Sequence, residues 1–297
     1  DSVPYKAAMT HGFTVDGRGN KMSKSKGNVI APQKIINRLG SDILRLWVAS
    51  TDSSSEMTVS EEILNRTSDK YRKIRNTIRF LLSNIDDYDP ETFSIKDTSI
   101  ELDKWIVLKA INLQKEILDH YNKFNFHIIS QLIHGFCVNE LGSFYLDVIK
   151  DRQYTCKKDS AERKSAQNSM YVILQMLLSW IAPICPHTAE EAWSHVPKSS
   201  QKSIFFNKWL IINDSEIPQT KINLENWEKI LEIKKHVSKE LENKREKNII
   251  GSSLDADVKI LCSDNLYNLL SEYGDELKFI FITSKVILER EKNLKDG

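Results

Sequence analysis

The chain has 297 residues, of which 28% are charged, yet its formal net charge is only +1. Length allows about two domains, and 40% hydrophobic residues are enough to bury a core. The balance excludes a uniformly basic coat, so any contact with nucleic acid must come from a local patch.

In chain order, His11 to Val15 reads as a short strand and Asp16-Gly17-Arg18-Gly19-Asn20 as a turn. Lys21 to Asn28 follows, polar and basic with no acid in it. Pro32 opens a short helix ending near Gly40, and Ser41 is placed to cap the next, Asp42 to Ser50, with Asp42 at its positive end. From Ser60 the period is helical: Tyr71, Ile74, Ile78, Leu81 and Ile85 form one apolar stripe, which stops before Pro90. Further helices are predicted at 101–122, 126–142, 160–182, 186–195 and 223–247, the makings of a helical bundle. Leu254 to Leu261 alternates like a strand, and Lys278 to Thr283 resembles a second.

The four cysteines, Cys137, Cys156, Cys185 and Cys262, form no Cys-x-x-Cys pair, and Cys185-Pro186-His187 offers two ligands without partners. The spacing argues against a metal site and for free thiols in a reducing cytoplasm. No secretory signal is visible, and the most apolar stretch, Tyr171 to Pro186, is short for a membrane span and holds Gln175 and Ser179.

Chemistry concentrates in Lys21-Met22-Ser23-Lys24-Ser25. Two lysines three residues apart, among small polar groups on a loop, can converge on a polyphosphate, with Ser23, Ser25 and backbone N–H groups as further donors. Ammonium groups that engage a leaving pyrophosphate best as its charge builds stabilise the transition state. By composition alone, a solvated Lys/Ser loop is the competing reading.

A second patch is Arg72, Arg75 and Arg79. At about 100° per residue they share one helical stripe beside the apolar one. They are suited to a nucleic-acid backbone, or equally to pairing with acids of a neighbouring helix. Trp47 and Trp180 read as core, and His187 as part of a helix start. Lys234 to Lys247 reads as a solvated face in which Glu240 and Lys244 can pair, an RNA contact being the alternative.

The ordered pentapeptide resembles the second signature of class I aminoacyl-tRNA synthetases. The flanks from His11 through Asn28, Val29 to Pro32, Asp42 to Ser50, Tyr71 to Leu82 and Ile249 to Ala256 are similar to the isoleucine branch of that family. The valine and leucine enzymes share the pentapeptide and are the alternative. The resemblance implies a mainly α chain in three parts. These are the end of a nucleotide-binding α/β catalytic domain (1–52), a helical-bundle anticodon-binding domain (53–212), and a C-terminal helix with a small α/β unit (213–297).

It further implies ATP as substrate with Mg, isoleucine activated to its adenylate, and transfer to tRNA(Ile). Lys21 and Lys24 would contact the ATP phosphates, Met22, Ser23 and Ser25 would shape the loop, and Arg72, Arg75 and Arg79 would face tRNA. The family's first signature, His-Ile-Gly-His, does not occur in these residues. The amino-acid pocket, the editing insertion and any zinc-binding tail are expected outside them, which makes the isolated chain, taken as a monomer, inactive in catalysis. A tRNA-binding module without catalysis is the reading from a different class.

Overall fold

The computed structural model describes residues 3–92, 94–199 and 201–291, which divide into two compact units at Gln219 and Thr220. In the first unit, strand β1 (Thr14–Val15) pairs in parallel with β2 (Met57–Thr58), and helices α1 (Pro32–Leu39) and α2 (Ser41–Ser50) lie between them in sequence. Gly12 makes the pairing feasible: a Cβ there would lie 2.1 Å from the Ser55 carbonyl oxygen. Ile35, Trp47, Met57, Val59 and Leu64 form a common core beneath this segment, with Met22, Ile30 and Leu44 packed against it.

The bundle follows: α3 (Glu61–Asn84), α4 (Glu101–Asn122), α5 (Phe126–Gly135), α6 (Leu146–Thr155), α7 (Ala161–Ile181) and α8 (Pro186–Trp193). Helix α3 starts where Ser60 accepts a hydrogen bond from the Ile63 N–H, and it buries Ile74, Ile78 and Leu81 on the predicted stripe. The apolar α7 fills the centre, its Trp180 fully buried and donating from Nε1 to Gln114 at 3.0 Å. Trp47 is likewise core, its indole N–H donating to the Thr58 carbonyl. Among the described residues no helix is long and apolar enough to cross a membrane.

Three sequence expectations are corrected here. The helix predicted at 126–142 runs on through Thr155, because Phe136–Tyr145 winds as a π-helix joining α5 to α6. Gly142 permits the wider winding, since a Cβ there would sit 2.9 Å from the Cys137 carbonyl oxygen. Ser41 is not the cap of α2: that position is Gly40, at φ 90°. The buried Asp42 turns its carboxylate to α8 instead, accepting from the Thr188 N–H at 2.7 Å and hydroxyl at 2.6 Å and so capping a different helix. Arg45, one turn on, donates to the Pro183 and Ile184 carbonyls at 2.9 Å each, so α2 is pinned to the corner before α8 by main-chain groups.

The third correction lies in the second unit. Its long helix α9 (Leu224–Glu246) buries Trp227 and Ile230, with the Trp227 ring 5.1 Å from that of Tyr273. Strand β3 (Asp257–Cys262) is followed by α10 (Asp264–Ser271), α11 (Glu276–Phe281) and β4 (Lys285–Arg290), and β3 and β4 pair in parallel from Asp257↔Lys285 to Cys262↔Arg290. The stretch predicted as a strand at Lys278 to Thr283 is therefore mostly α11. Burial of Leu277, Ile280 and Phe281, three and four residues apart, favours helix over its β-rich composition. The pair anticipated between Glu240 and Lys244 is not among the described ion pairs, and Glu240 accepts from Asn243.

Candidate functional site

The basic loop grows out of β1 through a turn closed by the side chain of Asp16. One of its oxygens accepts from the Arg18 and Asn20 N–H groups at 3.0 and 2.9 Å, an arrangement that fixes the Gly17-Arg18-Gly19 reversal. Gly19 takes φ 79° at its tip, a conformation open to glycine. The chain returns alongside itself, Lys21 bridging Val15 in antiparallel fashion.

Asn28 then ties the far end of the loop to this turn. Its amide donates to the second Asp16 oxygen at 2.9 Å and its carbonyl oxygen accepts from the Ser23 N–H at 2.9 Å. Hydrogen bonds to the charged form, that from Asn28 foremost, hold the Asp16 carboxyl well below its ordinary range, at about 2. Between these anchors Lys24–Lys26 makes one 3-10 turn. Ser23 Oγ accepts from the Lys26 N–H, and Gly27 closes the turn at φ 67°. Ser23 and Ser25 hydroxyls lie 3.1 Å apart. Met22 is half-buried and joins the core under α1 and α2, a hydrophobic root for an otherwise polar loop.

This local architecture leaves the cations outward. Lys21, Lys24 and Lys26 are exposed, and none is in an ion pair among the described residues. Lys21 Nζ stands 3.8 Å above the centre of the exposed Phe13 ring. Asp16, Arg18, Asn20, Lys26 and Asn28 surround an open concavity beside the loop. The pentapeptide's residues are thus brought together, with one reassignment of donors: the Ser23 N–H, counted in the sequence among those free for phosphate, is spent on Asn28.

Sequence reasoning passed over Asp16, Asn28, Arg18 and Lys26 as functional groups. The Asp-Gly-x-Gly-Asn run signals a side-chain-closed turn, and that signal could have singled out Asp16. Nothing in the spacing shows the contact between Asp16 and Asn28.

The arginine stripe lies on the exposed side of α3. Arg72 pairs with Asp69 on the same helix at 2.9 Å, and Arg75 reaches Glu191 of α8 at 3.4 Å. Arg79 is exposed and in no ion pair among the described residues. Pairing with acids therefore accounts for two of the three in this structure. Both pairs are solvent-exposed and of the kind worth about 0–1 kcal/mol, so a phosphate competes with them at little cost. His187 stands in the first turn of α8. No group of three or more His, Cys, Asp or Glu among the described residues could hold a metal ion.

Comparison with known proteins places this geometry. The family described as the anticodon-binding domain of tRNA ligase matches residues 103–260, and that of class I tRNA synthetases (I, L, M and V) matches residues 1–60. An isoleucine–tRNA ligase of Methylococcus capsulatus is 49% identical over 283 residues, 95% of this chain and 30% of that protein. One of Francisella philomiragia is 50% identical over 286 residues, 96% of this chain and 31% of that protein. The chain thus spans about 30% of the length of these curated relatives.

Two solved structures share the fold. The LeuRS–tRNA–LeuAMS ternary complex of Agrobacterium radiobacter K84 has a TM-score of 0.51 at 18% identity, covering 71% of this chain and 25% of that one. Methionyl-tRNA synthetase of Mycobacterium tuberculosis with methionyl-adenylate has a TM-score of 0.53 at 19% identity, covering 71% of this chain and 42% of that one. With the anticodon-binding model alone matching more than half of its 297 residues, the chain belongs to the family of tRNA-ligase anticodon-binding domains.

Proposed function

We propose that this chain supplies the phosphate-binding loop and the tRNA-docking bundle of an isoleucine–tRNA ligase. That enzyme joins isoleucine to ATP as the adenylate and passes the acyl group to tRNA(Ile) in the cytoplasm. The observation that carries the reading is the loop at residues 21–28, which is held at its base by Asp16 and Asn28 while Lys21 and Lys24 stay exposed and unpaired. The near-50% identity to isoleucine enzymes supports that branch over valine or leucine. Residues 1–52 would belong with the catalytic domain, 53–212 would form the anticodon-binding bundle, and 213–297 the C-terminal unit.

In this reading the two ammonium groups close on the polyphosphate as pyrophosphate departs, Lys24 being the principal donor, while Met22 roots the loop and Ser23 and Ser25 shape it. Stabilisation that grows with the developing charge raises kcat rather than affinity. In a chain completed by the remainder found in its relatives, Lys24→Ala should lower isoleucine-dependent ATP–pyrophosphate exchange roughly 100- to 1,000-fold. Normal exchange in that variant would sink the assignment.

A second reading, tRNA binding without catalysis, is favoured by the match of residues 103–260 to the anticodon-binding domain of tRNA ligase. It predicts salt-sensitive tRNA binding that weakens when Arg72, Arg75 and Arg79 are changed together to Ala. Equal filter-binding affinities for the variant and the parent chain would remove the stripe from the interface.

A further inference from the structure

A groove of about 570 Å³ opens in the first unit, lined at β1 by Thr14 and sharing no lining residue with the loop concavity. Its wall includes Phe124, Phe126, Trp47, Arg45, His11 and His127, and among the described residues no Asp or Glu lines it. Arg45 is exposed, and its hydrogen bonds go to two main-chain carbonyls, so no ion pair among the described residues cancels its charge. Two carboxylates lie nearby. Asp52 interacts with His127 and has one oxygen engaged by the Ser54 N–H and hydroxyl. The buried Asp42, three residues before Arg45, has one oxygen engaged by Thr188.

The backbone at the groove's edge is unusual. Helix α4 ends in a reversal in which the Asn125 N–H reaches the His120 carbonyl at 2.9 Å and the Phe124 N–H reaches that of Tyr121 at 3.2 Å. Glycine is the ordinary occupant of the left-handed position in such a motif. Here it is Phe124, at φ 59° and 50% exposed. Ile282 takes similar angles in the second unit, but its side chain is half-buried between the buried Phe281 and Thr283. Phe124 is more exposed than Ile282, and its ring meets that of Phe126 edge-on at 6.2 Å. Strain left at an exposed aromatic points to function.

We propose that the groove is a stacking site for a single-stranded nucleotide, its base on Phe124 and its phosphate drawn by Arg45. Aromatic faces beside an exposed guanidinium, with no Asp or Glu lining the wall among the described residues, are the chemistry that binds single strands without reading their sequence. An apolar helix from a protein partner would leave Arg45 desolvated, and a duplex presents no free base face. The inference rests on the tRNA reading above and deepens it. Thr14 lines the groove and its neighbour Val15 bridges Lys21, so a nucleotide here would lie beside the base of the phosphate loop.

The test uses the whole 297-residue chain with a labelled four-nucleotide single-stranded RNA, and a blunt RNA hairpin stem as control, read by fluorescence anisotropy. The single strand should bind and the stem should not compete for it. Phe124→Gly should weaken the single strand roughly 5- to 100-fold while raising Tm, because glycine accepts the backbone that phenylalanine strains. Phe124→Tyr should keep the affinity. Unchanged affinity in Phe124→Gly, competition by the stem on equal terms, or no saturable binding would each overturn the proposal. If full tRNA still binds through the Arg72–Arg79 stripe in that event, the stacking site alone fails. If neither RNA binds, the tRNA reading fails with it.

Discussion

Two carboxylates in this molecule do the same thing at different depths. Asp103, fully buried in the bundle, gathers the Tyr145 hydroxyl at 2.9 Å, both ends of the Arg152 guanidinium at 2.9 and 3.0 Å, and the Ser165 hydroxyl at 2.7 Å. Asp16, at the base of the basic loop, gathers two backbone N–H groups and the Asn28 amide at 2.9–3.0 Å, but in reach of solvent. The buried cluster joins α4, α6 and α7 with the π-helical turns and has no water to fall back on, so its contacts are obligatory. The exposed one shapes a loop whose groups exchange with water at small cost. A segment that must close around a phosphate needs the second arrangement, and the scaffold beneath it needs the first.

The sharpest way to break the contrast is to remove each carboxylate's partners in turn. Asp103→Ala removes the carboxylate that receives both ends of the Arg152 guanidinium, in a site where the Arg152 side chain is 11% exposed. A loss of about 3–5 kcal/mol is expected, read by urea unfolding of the bundle tryptophans. A loss under about 1 kcal/mol would mean the cluster is no stronger than its surface counterpart.

Gly12→Ala comes next. Its Cβ would have to displace the Ser55 carbonyl, at a cost of roughly 1–3 kcal/mol. The damage should be local: faster hydrogen exchange at the Met57 and Val59 N–H groups, which bond the Phe13 and Val15 carbonyls, and little change in the bundle. Uniformly faster exchange through α4 and α7 would show that the two regions are not separable.

How far the sequence revealed these two regions follows from what kind of force holds each. Helix α4 lies at the predicted 101–122, because a 3.6-residue apolar period between helix breakers is a local signal. The mainly α reading likewise survives in the structure. What failed depended on backbone conformation or burial that spacing does not reveal. The helix predicted to end at 142 runs on because the backbone widens into a π-helix around Cys137 and Gly142, and Ser41 looked like a cap until Gly40 took that place. The β-branched and aromatic run at 278–283 was read by propensity, whereas burial of Leu277, Ile280 and Phe281 decided its conformation. At the candidate site, the lysines were legible through an ordered motif. The struts that hold them apart were not: Asp16 and Asn28 are twelve residues apart, and a side-chain hydrogen bond leaves no periodicity.

The smallest expected effect tests the loop's own carboxylate. Asn28 is the largest cause of the low Asp16 pKa, so Asn28→Ala should move that carboxyl from about 2 back toward its ordinary 3.8. A depressed acid adds stability to the ordered loop at pH values above its unfolded pKa, and this is lost as pH falls through the folded value. In the parent chain the Arg18 and Asn20 amide signals should therefore hold their positions from pH 7 to about 4 and shift only as pH approaches 2. In the variant the same shift should begin about one to two pH units higher, with the global unfolding midpoint nearly unchanged because the group is exposed. Side-chain carboxyl titration by NMR reads both. Identical Asp16 titrations in the two proteins would show that the backbone turn alone sets the loop's base, and that Asn28 serves the loop only through the Ser23 N–H.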